Sequence, residues 1–465
     1  MTQFLVKPPL GSAVTVGPVD EGGPTNRLFV GKLAENGPYR RVDFGFSREF
    51  VLLILGKRGS GKSFTLGTIL ESLATVAGTS SLGQLSSRPG ILLLDPMMNF
   101  WPTQLPLRAD GPEKVRLQHA LLTGWECKPE ESSISIWLPK GSRLDTDYAG
   151  IQDFSIRCSD LDNQDWADLV GQDLFADPQG ILLSDALERL KETGYHDSGG
   201  REIGPQAKFD IGDLAAAAQS LTGGDHRDDT IRALTRTLRG LERSKAFARE
   251  GTPLTELSKP GNLAVLMLPP RIGHQLRRVI TRVVIRRLLK EREKASQIRQ
   301  RLDVESLPQD TAGKLQQELS RLVPKTILAL DEAQELLGED AAEAREALED
   351  FCLLGRNYGL SLILATQRPA ASAISPKVRA QVDTYFVHRL LTADDIALVR
   401  SNLISSWPDE VRLGDRDCTF EDAIRALKTG RCIVSSDRIE VRGGKPRCFF
   451  MDVRPRTRVH GGEVS

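Results

Sequence analysis

A glycine-rich loop between a predicted strand and a predicted helix limits this chain to a small set of folds. Residues 51–55 are continuously apolar and end at a glycine, which is typical of a buried strand in a parallel sheet. The loop itself, GKRGSGKS at residues 56–63, has the G-x-x-x-x-G-K-[ST] pattern of a phosphate-binding loop. Apolar residues then recur at helical spacing over residues 64–73. This order predicts an α/β fold with a mostly parallel sheet.

The residue types in this loop suit the binding of a nucleoside triphosphate. Its glycines permit backbone conformations that a side chain would forbid, so that N–H groups can surround a phosphate chain at the positive end of the next helix. Lys62 would neutralise the β- and γ-phosphates, and the Ser63 hydroxyl would ligate Mg²⁺. The predicted nucleotide-binding residues are Gly56, Lys57, Arg58, Gly59, Ser60, Gly61, Lys62, Ser63 and Phe64.

Composition sets broad limits on the class of protein. The 465 residues are 40% hydrophobic and 27% charged, as in an ordinary soluble protein, and their formal net charge is zero. Any nucleic-acid-binding surface must therefore be a local feature. No apolar stretch approaches the roughly 20 residues needed to span a bilayer. The six cysteines form no C-x-x-C pair, which predicts a reduced, cytoplasmic compartment and no zinc site.

The pattern along the chain predicts a core with added parts. Residues 1–47 contain short apolar pieces separated by Gly and Pro, which favours a small β-rich domain resembling a truncated barrel. The predicted core comprises residues 48–150 and 258–445. Between its two parts, residues 151–257 have helical patterns with polar, glycine-broken joints, and we interpret them as a helical insertion.

Further apolar strands are predicted at 91–96, 133–139 and 262–270. The last leads into a long predicted helix, and eleven Lys or Arg residues occur between positions 271 and 301, against two glutamates. These basic side chains could follow a phosphate backbone, lie against an acidic neighbouring surface, or form a solvated helix face. The sequence leaves these three interpretations open.

A second set of functional residues is predicted at the end of a later strand. The stretch TILALDEAQELL, residues 326–337, is an apolar strand that ends in Asp331 and Glu332. This is the Walker B arrangement, in which Asp331 would hold Mg²⁺ opposite Ser63 and Glu332 would orient the attacking water.

The next predicted strand, LSLILATQRP at residues 360–369, brings Thr366 and Gln367 to its tip. A polar residue at this place can sense the γ-phosphate and report hydrolysis to moving parts. Arg356 lies just before this strand. It could reach the nucleotide of an adjacent subunit as an arginine finger, or it could form a structural salt bridge.

Taken together, these stretches resemble the HerA/FtsK superfamily of hexameric DNA-pumping ATPases, and the HerA branch in particular. The resemblance extends in order from about residue 28 to the end of the chain. It implies a RecA-like P-loop ATPase core. The matching stretches are ILGKRGSGKSFTLG, LLLDPMMNFW, PGNLAVLMLPP with the basic helix, LALDEAQELL, GRNYGLSLILATQRP and the tail DVRPRTRVHGG.

The resemblance also implies roles for individual residues. Lys62 acts on the phosphates, Glu332 is the catalytic base, Gln367 is the sensor, and Arg356 is the arginine finger in trans. Ser63 and Asp331 bind Mg²⁺. Asp95 matches an acidic position near the site, and the tail, residues 446–465, is expected to reach a nucleotide site. Archaeal members begin with a fuller β-barrel than residues 1–47 provide.

These expectations describe a homo-hexameric, ATP- and Mg²⁺-dependent motor that translocates along or unwinds double-stranded DNA. No association with a membrane is expected. By the resemblance, a separate nuclease or sirtuin-type effector would work beside it, with anti-phage defence as one setting. One alternative is an ATP-regulated ring scaffold that assembles and activates a partner enzyme. Another is a conjugation or DNA-packaging motor. Basic residues that could contact DNA in the pore of a ring are Lys140, Arg143, Lys377 and Arg379.

Overall fold

The chain is built around one large mixed sheet, seen in a computed structural model. The structure describes residues 14–19, 26–34, 40–75, 82–144, 148, 150–197, 199–338, 341–369, 374–407, 412–413, 416–437, 439 and 448–462.

The strands of the described residues include all the core strands that the sequence predicts. They are β1 (Val14–Val16), β2 (Asn26–Leu33), β3 (Arg41–Phe46), β4 (Val51–Leu55), β5 (Gly83–Gln84), β6 (Gly90–Asp95), β7 (Ser133–Pro139), β8 (Gln152–Phe154), β9 (Ile156–Arg157), β10 (Tyr195–His196), β11 (Glu202–Ile203), β12 (Phe247–Ala248), β13 (Asn262–Met267), β14 (Thr326–Leu330), β15 (Leu360–Thr366), β16 (Thr384–Val387), β17 (Arg412–Leu413), β18 (Arg416–Asp417), β19 (Arg431–Ser436) and β20 (Phe449–Val453).

The helices lie between these strands, as expected for an α/β chain. They are α1 (Lys62–Leu73), α2 (Glu113–Gly124), α3 (Asn163–Val170), α4 (Pro178–Glu188), α5 (Ile211–Gln219), α6 (Asp228–Arg243), α7 (Leu254–Leu257), α8 (His274–Val304), α9 (Gln309–Ser320), α10 (Ala333–Leu336), α11 (Ala342–Leu354), α12 (Pro376–Arg379), α13 (Ala393–Asn402) and α14 (Phe420–Arg425).

The centre of the sheet is parallel and its flank is antiparallel. Strands β16, β4, β15, β14, β6, β13, β7 and β8 lie side by side in that order, and each pair is parallel. The carboxyl ends of β4, β15 and β14 therefore meet at one edge. Beyond β16 the sheet continues through β19, β20, β2 and β3, which are joined by antiparallel pairs.

Both faces of the sheet are covered, because alternate residues of β4 belong to different hydrophobic cores. Leu53 and Leu55 belong to one core, which also contains Leu288 of α8, whereas Leu52 and Ile54 belong to the other. Apolar residues of α1 complete the second core. Burial on both faces explains why these strands are continuously apolar in the sequence.

The strands of the predicted N-terminal domain extend the main sheet. β2 pairs with β20, close to the C-terminus, and β3 pairs with β2. Residues 1–13, 20–25 and 35–39 of that predicted domain lie outside the described residues. So do residues 438 and 440–447, where the predicted core meets the predicted tail. The proposed domain boundaries stay a prediction.

Part of the basic face of α8 lies against acidic residues of the same chain. Arg286 Nη2 lies 2.6 Å from Asp165 Oδ2, and Arg282 also pairs with Asp165, a fully buried residue at the start of α3. Farther along α8, Arg292 donates to two backbone carbonyls, at 2.8 and 3.0 Å. Of the three interpretations left open by the sequence, the acidic neighbouring surface accounts for Arg282 and Arg286, and Asp165 lies within the predicted insertion. Within the described residues, none of the helices has the length and apolarity that crossing a membrane requires.

Candidate functional site

The glycine-rich loop connects the end of β4 to the start of α1. Gly61 is the residue before the helix and has a φ of 109°, in the left-handed region that glycine favours. Packing adds a second requirement at Gly56, because a Cβ there would lie 2.6 Å from the Cβ of His388. The loop therefore has the conformation and the glycine positions that a phosphate cradle needs.

Two other strands support the flank of this loop. The Lys57 N–H donates to the carbonyl of Arg389, just after β16, at 2.9 Å. The Gly430 N–H, just before β19, donates to the carbonyl of Ser60 at 3.3 Å. The loop is thus held by the strand that carries it and by two strand ends distant in sequence.

His388 packs beneath the loop as a neutral side chain. Its Nε2 lies 2.9 Å from Thr65 Oγ1 on α1, and its Nδ1 lies 3.1 Å from the carbonyl of Arg431. Burial, helped by the positive charge of Lys62, lowers the pKa of His388 to about 3. The imidazole is therefore uncharged near neutral pH and acts as a support. This agrees with the packing role that isolated histidines usually have.

The Mg²⁺-binding residues predicted from the sequence are brought together. The Ser63 hydroxyl lies 3.0 Å from Oδ2 and 3.1 Å from Oδ1 of Asp331, which follows β14. Burial, with the nearby charges of Asp95 and Glu332, raises the pKa of Asp331 to about 8. A hydroxyl and a carboxylate beside a phosphate cradle fit Mg²⁺, which takes oxygen ligands and fills its other positions with water and phosphate oxygens.

Asp95 lies at the end of β6, the strand next to β14. Its two carboxylate oxygens accept from the N–H groups of Met97, at 3.1 Å, and Phe100, at 2.8 Å. Burial raises its pKa to about 6 against the opposing effect of these hydrogen bonds. Asp95 therefore shapes the turn after β6 and contributes negative charge beside Asp331.

Glu332 faces the lysine of the phosphate loop. Its Oε1 lies 3.6 Å from Lys62 Nζ, and both side chains are largely buried. The backbone of Glu332 has φ 44° and ψ 54°, a left-handed conformation that is rare for a residue with a side chain. Such conformations cost about 1–3 kcal/mol and concentrate at functional sites. Its Oε2 accepts from Nε2 of Gln334 at 2.7 Å.

The tip of β15 lies between the phosphate loop and Asp331–Glu332, because β15 is the strand between β4 and β14. The backbone N–H of Gly56 donates to the carbonyl of Thr366 at 3.3 Å. The Thr366 hydroxyl donates to Oε1 of Gln334 at 2.7 Å. Gln367 follows directly. Sequence reasoning missed Gln334, whose only signal was its place two residues after Glu332.

Arg356 lies at the other edge of the sheet. Its Nη2 lies 2.8 Å from Oδ2 of Asp383, which also accepts from the N–H of Val51 at the start of β4. The length of β4 separates Arg356 from the phosphate loop of its own chain, so any contact with a nucleotide would involve another subunit. The salt bridge allowed by the sequence is present, and the role as a finger stays a prediction.

Three of the four predicted DNA-contacting residues have partners within the chain. Arg143 donates to the Tyr148 carbonyl at 3.2 Å, Lys377 pairs with Glu349 at 2.9 Å, and Arg379 donates to a backbone carbonyl at 2.6 Å. Lys140 is exposed just after β7.

The described part of the C-terminal tail, residues 448–462, lies along α1, the helix that begins in the phosphate loop. Arg454 Nη1 lies 2.9 Å from Glu71 Oε1, and both side chains are fully buried. Arg456 Nε lies 3.4 Å from the other carboxylate oxygen. The His460 ring contacts the ring of Phe64 edge-on, with centroids 5.3 Å apart. The tail thus touches a residue predicted to bind nucleotide.

Comparisons with known proteins identify a family and a similar fold. A family model described as "Helicase HerA, central domain" matches residues 49–291, more than half of the chain. The structure of VirB4 from Thermoanaerobacter pseudethanolicus has 15% identity and a TM-score of 0.51, covering 94% of this chain and 98% of that one. A structure of EssC ATPases 2 and 3 from Geobacillus thermodenitrificans has 14% identity and a TM-score of 0.35, covering 97% and 48%. No curated protein sequence matches the chain. The predicted RecA-like P-loop fold is confirmed.

Proposed function

The chain belongs to the HerA helicase central-domain family, and from that premise we propose that it is an ATP-hydrolysing motor that translocates along double-stranded DNA. Family membership implies ATP hydrolysis. The observation that carries the proposal is the convergence of Lys62, Ser63, Asp331 and Glu332 at one edge of the sheet.

Each of these residues has a separate part in the proposed reaction. Lys62 and the loop N–H groups bind the β- and γ-phosphates and stabilise the charge that develops on the leaving group. Ser63 and Asp331 would hold Mg²⁺, which would neutralise phosphate charge when bound. Glu332 orients a water molecule and accepts its proton as the water attacks the γ-phosphate. Gln367, at the tip of β15, detects the loss of the γ-phosphate.

We further propose that six copies form a ring in which Arg356 completes the site of a neighbour. The position of Arg356 at the opposite edge of the sheet from its own phosphate loop supports this arrangement. The proposal also includes a cytoplasmic location, which the six unpaired cysteines support, and a nuclease or sirtuin-type partner. Native mass spectrometry of the chain expressed with its genomic neighbours measures ring size and partner together. A monomer at all concentrations would contradict the ring.

The motor is tested by measuring ATP hydrolysis with and without duplex DNA. We expect duplex DNA to raise kcat. Glu332→Gln should bind ATP normally but hydrolyse it at least about 100-fold more slowly, because the proton acceptor is lost. Lys62→Ala should lose nucleotide binding as well. The exposed Lys314→Ala is a matched control on α9 and should behave like the unmodified chain.

Other outcomes separate the alternatives. Normal ATP hydrolysis by Lys62→Ala would contradict the assignment of the whole site. Hydrolysis that ignores duplex DNA but changes when a partner protein is added would replace the motor with an ATP-regulated scaffold.

A further inference from the structure

A continuous series of hydrogen bonds joins the proposed catalytic base to the neighbouring strand tip. Gln334 Nε2 donates to Glu332 Oε2 at 2.7 Å, and Thr366 Oγ1 donates to Gln334 Oε1 at 2.7 Å. The Arg368 N–H then donates to Thr366 Oγ1 at 3.2 Å. The side chain of Gln334 therefore spans the gap between the ends of β14 and β15.

The chemistry of these groups fixes the direction of the series. A carboxylate only accepts hydrogen bonds, so Gln334 must turn its NH₂ group toward Glu332 and its oxygen toward Thr366. Thr366 is fully buried, which holds its hydroxyl away from competing water. An amide is the uncharged group that can donate at one end and accept at the other.

Thr366 also contacts the phosphate loop, because the Gly56 N–H donates to its backbone carbonyl at 3.3 Å. One residue at the tip of β15 is therefore bonded on one side to the loop and on the other, through Gln334, to Glu332. Gln367, the predicted γ-phosphate sensor, is the next residue. A displacement of this tip would move both neighbours.

The backbone conformation of Glu332 requires support from neighbouring groups. Its left-handed backbone, with φ 44°, is disfavoured for a residue with a side chain and persists only where surrounding contacts impose it. Lys62 Nζ, 3.6 Å from Oε1, attracts one carboxylate oxygen, and Gln334 holds the other. Removing the amide would leave the carboxylate free to rotate about its side-chain bonds.

From this geometry we propose that Gln334 is a positioning residue that fixes the Glu332 carboxylate for water activation and links it to the tip of β15. The inference rests on the proposed ATP hydrolysis and deepens it. Gln334 touches no reacting atom in this scheme. Its effect on the rate passes through Glu332, and its link to the γ-phosphate passes through Thr366.

The test compares four variants by steady-state ATP hydrolysis: Gln334→Ala, Thr366→Val, the double variant, and Thr366→Ser. Gln334→Ala should lower kcat about tenfold or more, the effect of losing a hydrogen bond to a charged group, with KM for ATP changed less than about twofold. Thr366→Val keeps the shape but loses the hydroxyl, so its kcat should fall by a similar or smaller factor. Thr366→Ser keeps the hydroxyl and should stay within about twofold.

The double variant separates a connected series from two independent effects. If Gln334 and Thr366 act as one unit, kcat of the double variant should lie within about twofold of kcat of Gln334→Ala. The exposed Gln316→Ala on α9 is a matched control and should leave kcat, KM and the thermal midpoint unchanged.

Three results would overturn the inference. The first is a normal kcat in Gln334→Ala, and the second is a double variant whose loss in kcat is the product of the two single losses. The third is a Gln334→Ala variant that loses nucleotide binding and thermal stability together with kcat. If Gln334→Ala does not fold, equal kcat values for Thr366→Val and Thr366→Ser would overturn it instead. Hydrolysis by the unmodified chain alongside any of these results leaves the proposed function standing. A folded, ATP-binding chain without hydrolysis overturns both.

Discussion

Two buried carboxylates in this molecule each pair with two arginines, and they serve different parts of the fold. Glu71, on α1, pairs with Arg454 and Arg456 of the tail. Asp165, at the start of α3, pairs with Arg282 and Arg286 of α8. The first cluster connects the end of the chain to the helix of the phosphate loop. The second connects α3, in the predicted insertion, to α8.

The two clusters differ in what remains if the carboxylate is lost. Arg454 and Arg456 are almost entirely buried, whereas the Arg286 side chain is 32% exposed. Arg282 also lies 2.9 Å from Asp168, which supplies a second acidic partner. Loss of Glu71 would therefore leave buried charge that water cannot reach, while loss of Asp165 would be partly compensated. Similar ion-pair clusters can thus contribute different amounts to the free energy of unfolding.

The largest effect is expected for Glu71→Gln. The substitution keeps the size of the side chain but leaves two buried guanidinium groups without their counter-charge, which costs about 3–5 kcal/mol. We expect a large fall in the thermal midpoint. Loss of ATP binding should accompany it, because the tail contacts the helix of the phosphate loop. Asp229→Asn, in an exposed ion pair with Arg232, is the control and should change neither measurement.

A smaller effect is expected for Asp165→Asn, because Arg286 can turn to water and Arg282 retains Asp168. We expect a loss of about 1–3 kcal/mol in the free energy of unfolding. Hydrogen exchange should become faster in α3 to α6, with kcat for ATP within about twofold of the unmodified chain. Equal losses of stability and activity in Asp165→Asn and Glu71→Gln would erase the distinction between the clusters.

The smallest effect concerns the acid dependence of the tail. Burial, helped by the charges of Arg456 and Lys114, lowers the pKa of His460 to about 3. His460 Nδ1 lies 3.2 Å from Arg456 Nη1 and accepts from it as a neutral ring. Below about pH 6.5 the unfolded chain gains a proton at this position that the folded chain does not, so stability is fully present above that pH and falls as pH decreases toward 3.

The corresponding variant is His460→Asn, whose side-chain oxygen can accept from Arg456 but does not titrate. Between pH 6.5 and 5 the free energy of unfolding of this variant should fall less steeply than that of the unmodified chain, the two slopes differing by about 1 kcal/mol per pH unit. Thermal midpoints measured across this pH range report the difference. Identical slopes would show that His460 becomes protonated without opening the tail.

The parts of the fold that the sequence predicts are those with local signals. β4, the phosphate loop and α1 follow each other without interruption, so periodicity and the motif suffice. Asp331, Glu332 and Thr366 were predicted because each closes an apolar run. Parallel strands bring such ends to one edge, and in the structure the Ser63 hydroxyl contacts Asp331.

The remainder depends on pairings between distant residues. Glu71 and Arg454 are 383 positions apart, and neither the apolar pattern of α1 nor the tail indicates that they meet. The eleven basic residues from Arg271 to Arg301 are visible in the sequence, but acidic partners of several of them lie between residues 160 and 168, in the predicted insertion. The left-handed backbone of Glu332 has no local sequence signal, since it lacks the glycine that usually marks such a position.

The support of the phosphate loop by β16 and β19 affects how strongly a nucleotide can bind. Because Lys57 and Ser60 are hydrogen-bonded to those strand ends, contacts within the chain itself hold the loop. Ordering a flexible loop on binding would lose conformational entropy and weaken the affinity. Here the contacts that form on folding already restrict the loop, so less conformational entropy is lost when a nucleotide binds. More of the interaction with the phosphates then remains to drive the change in shape that a motor requires.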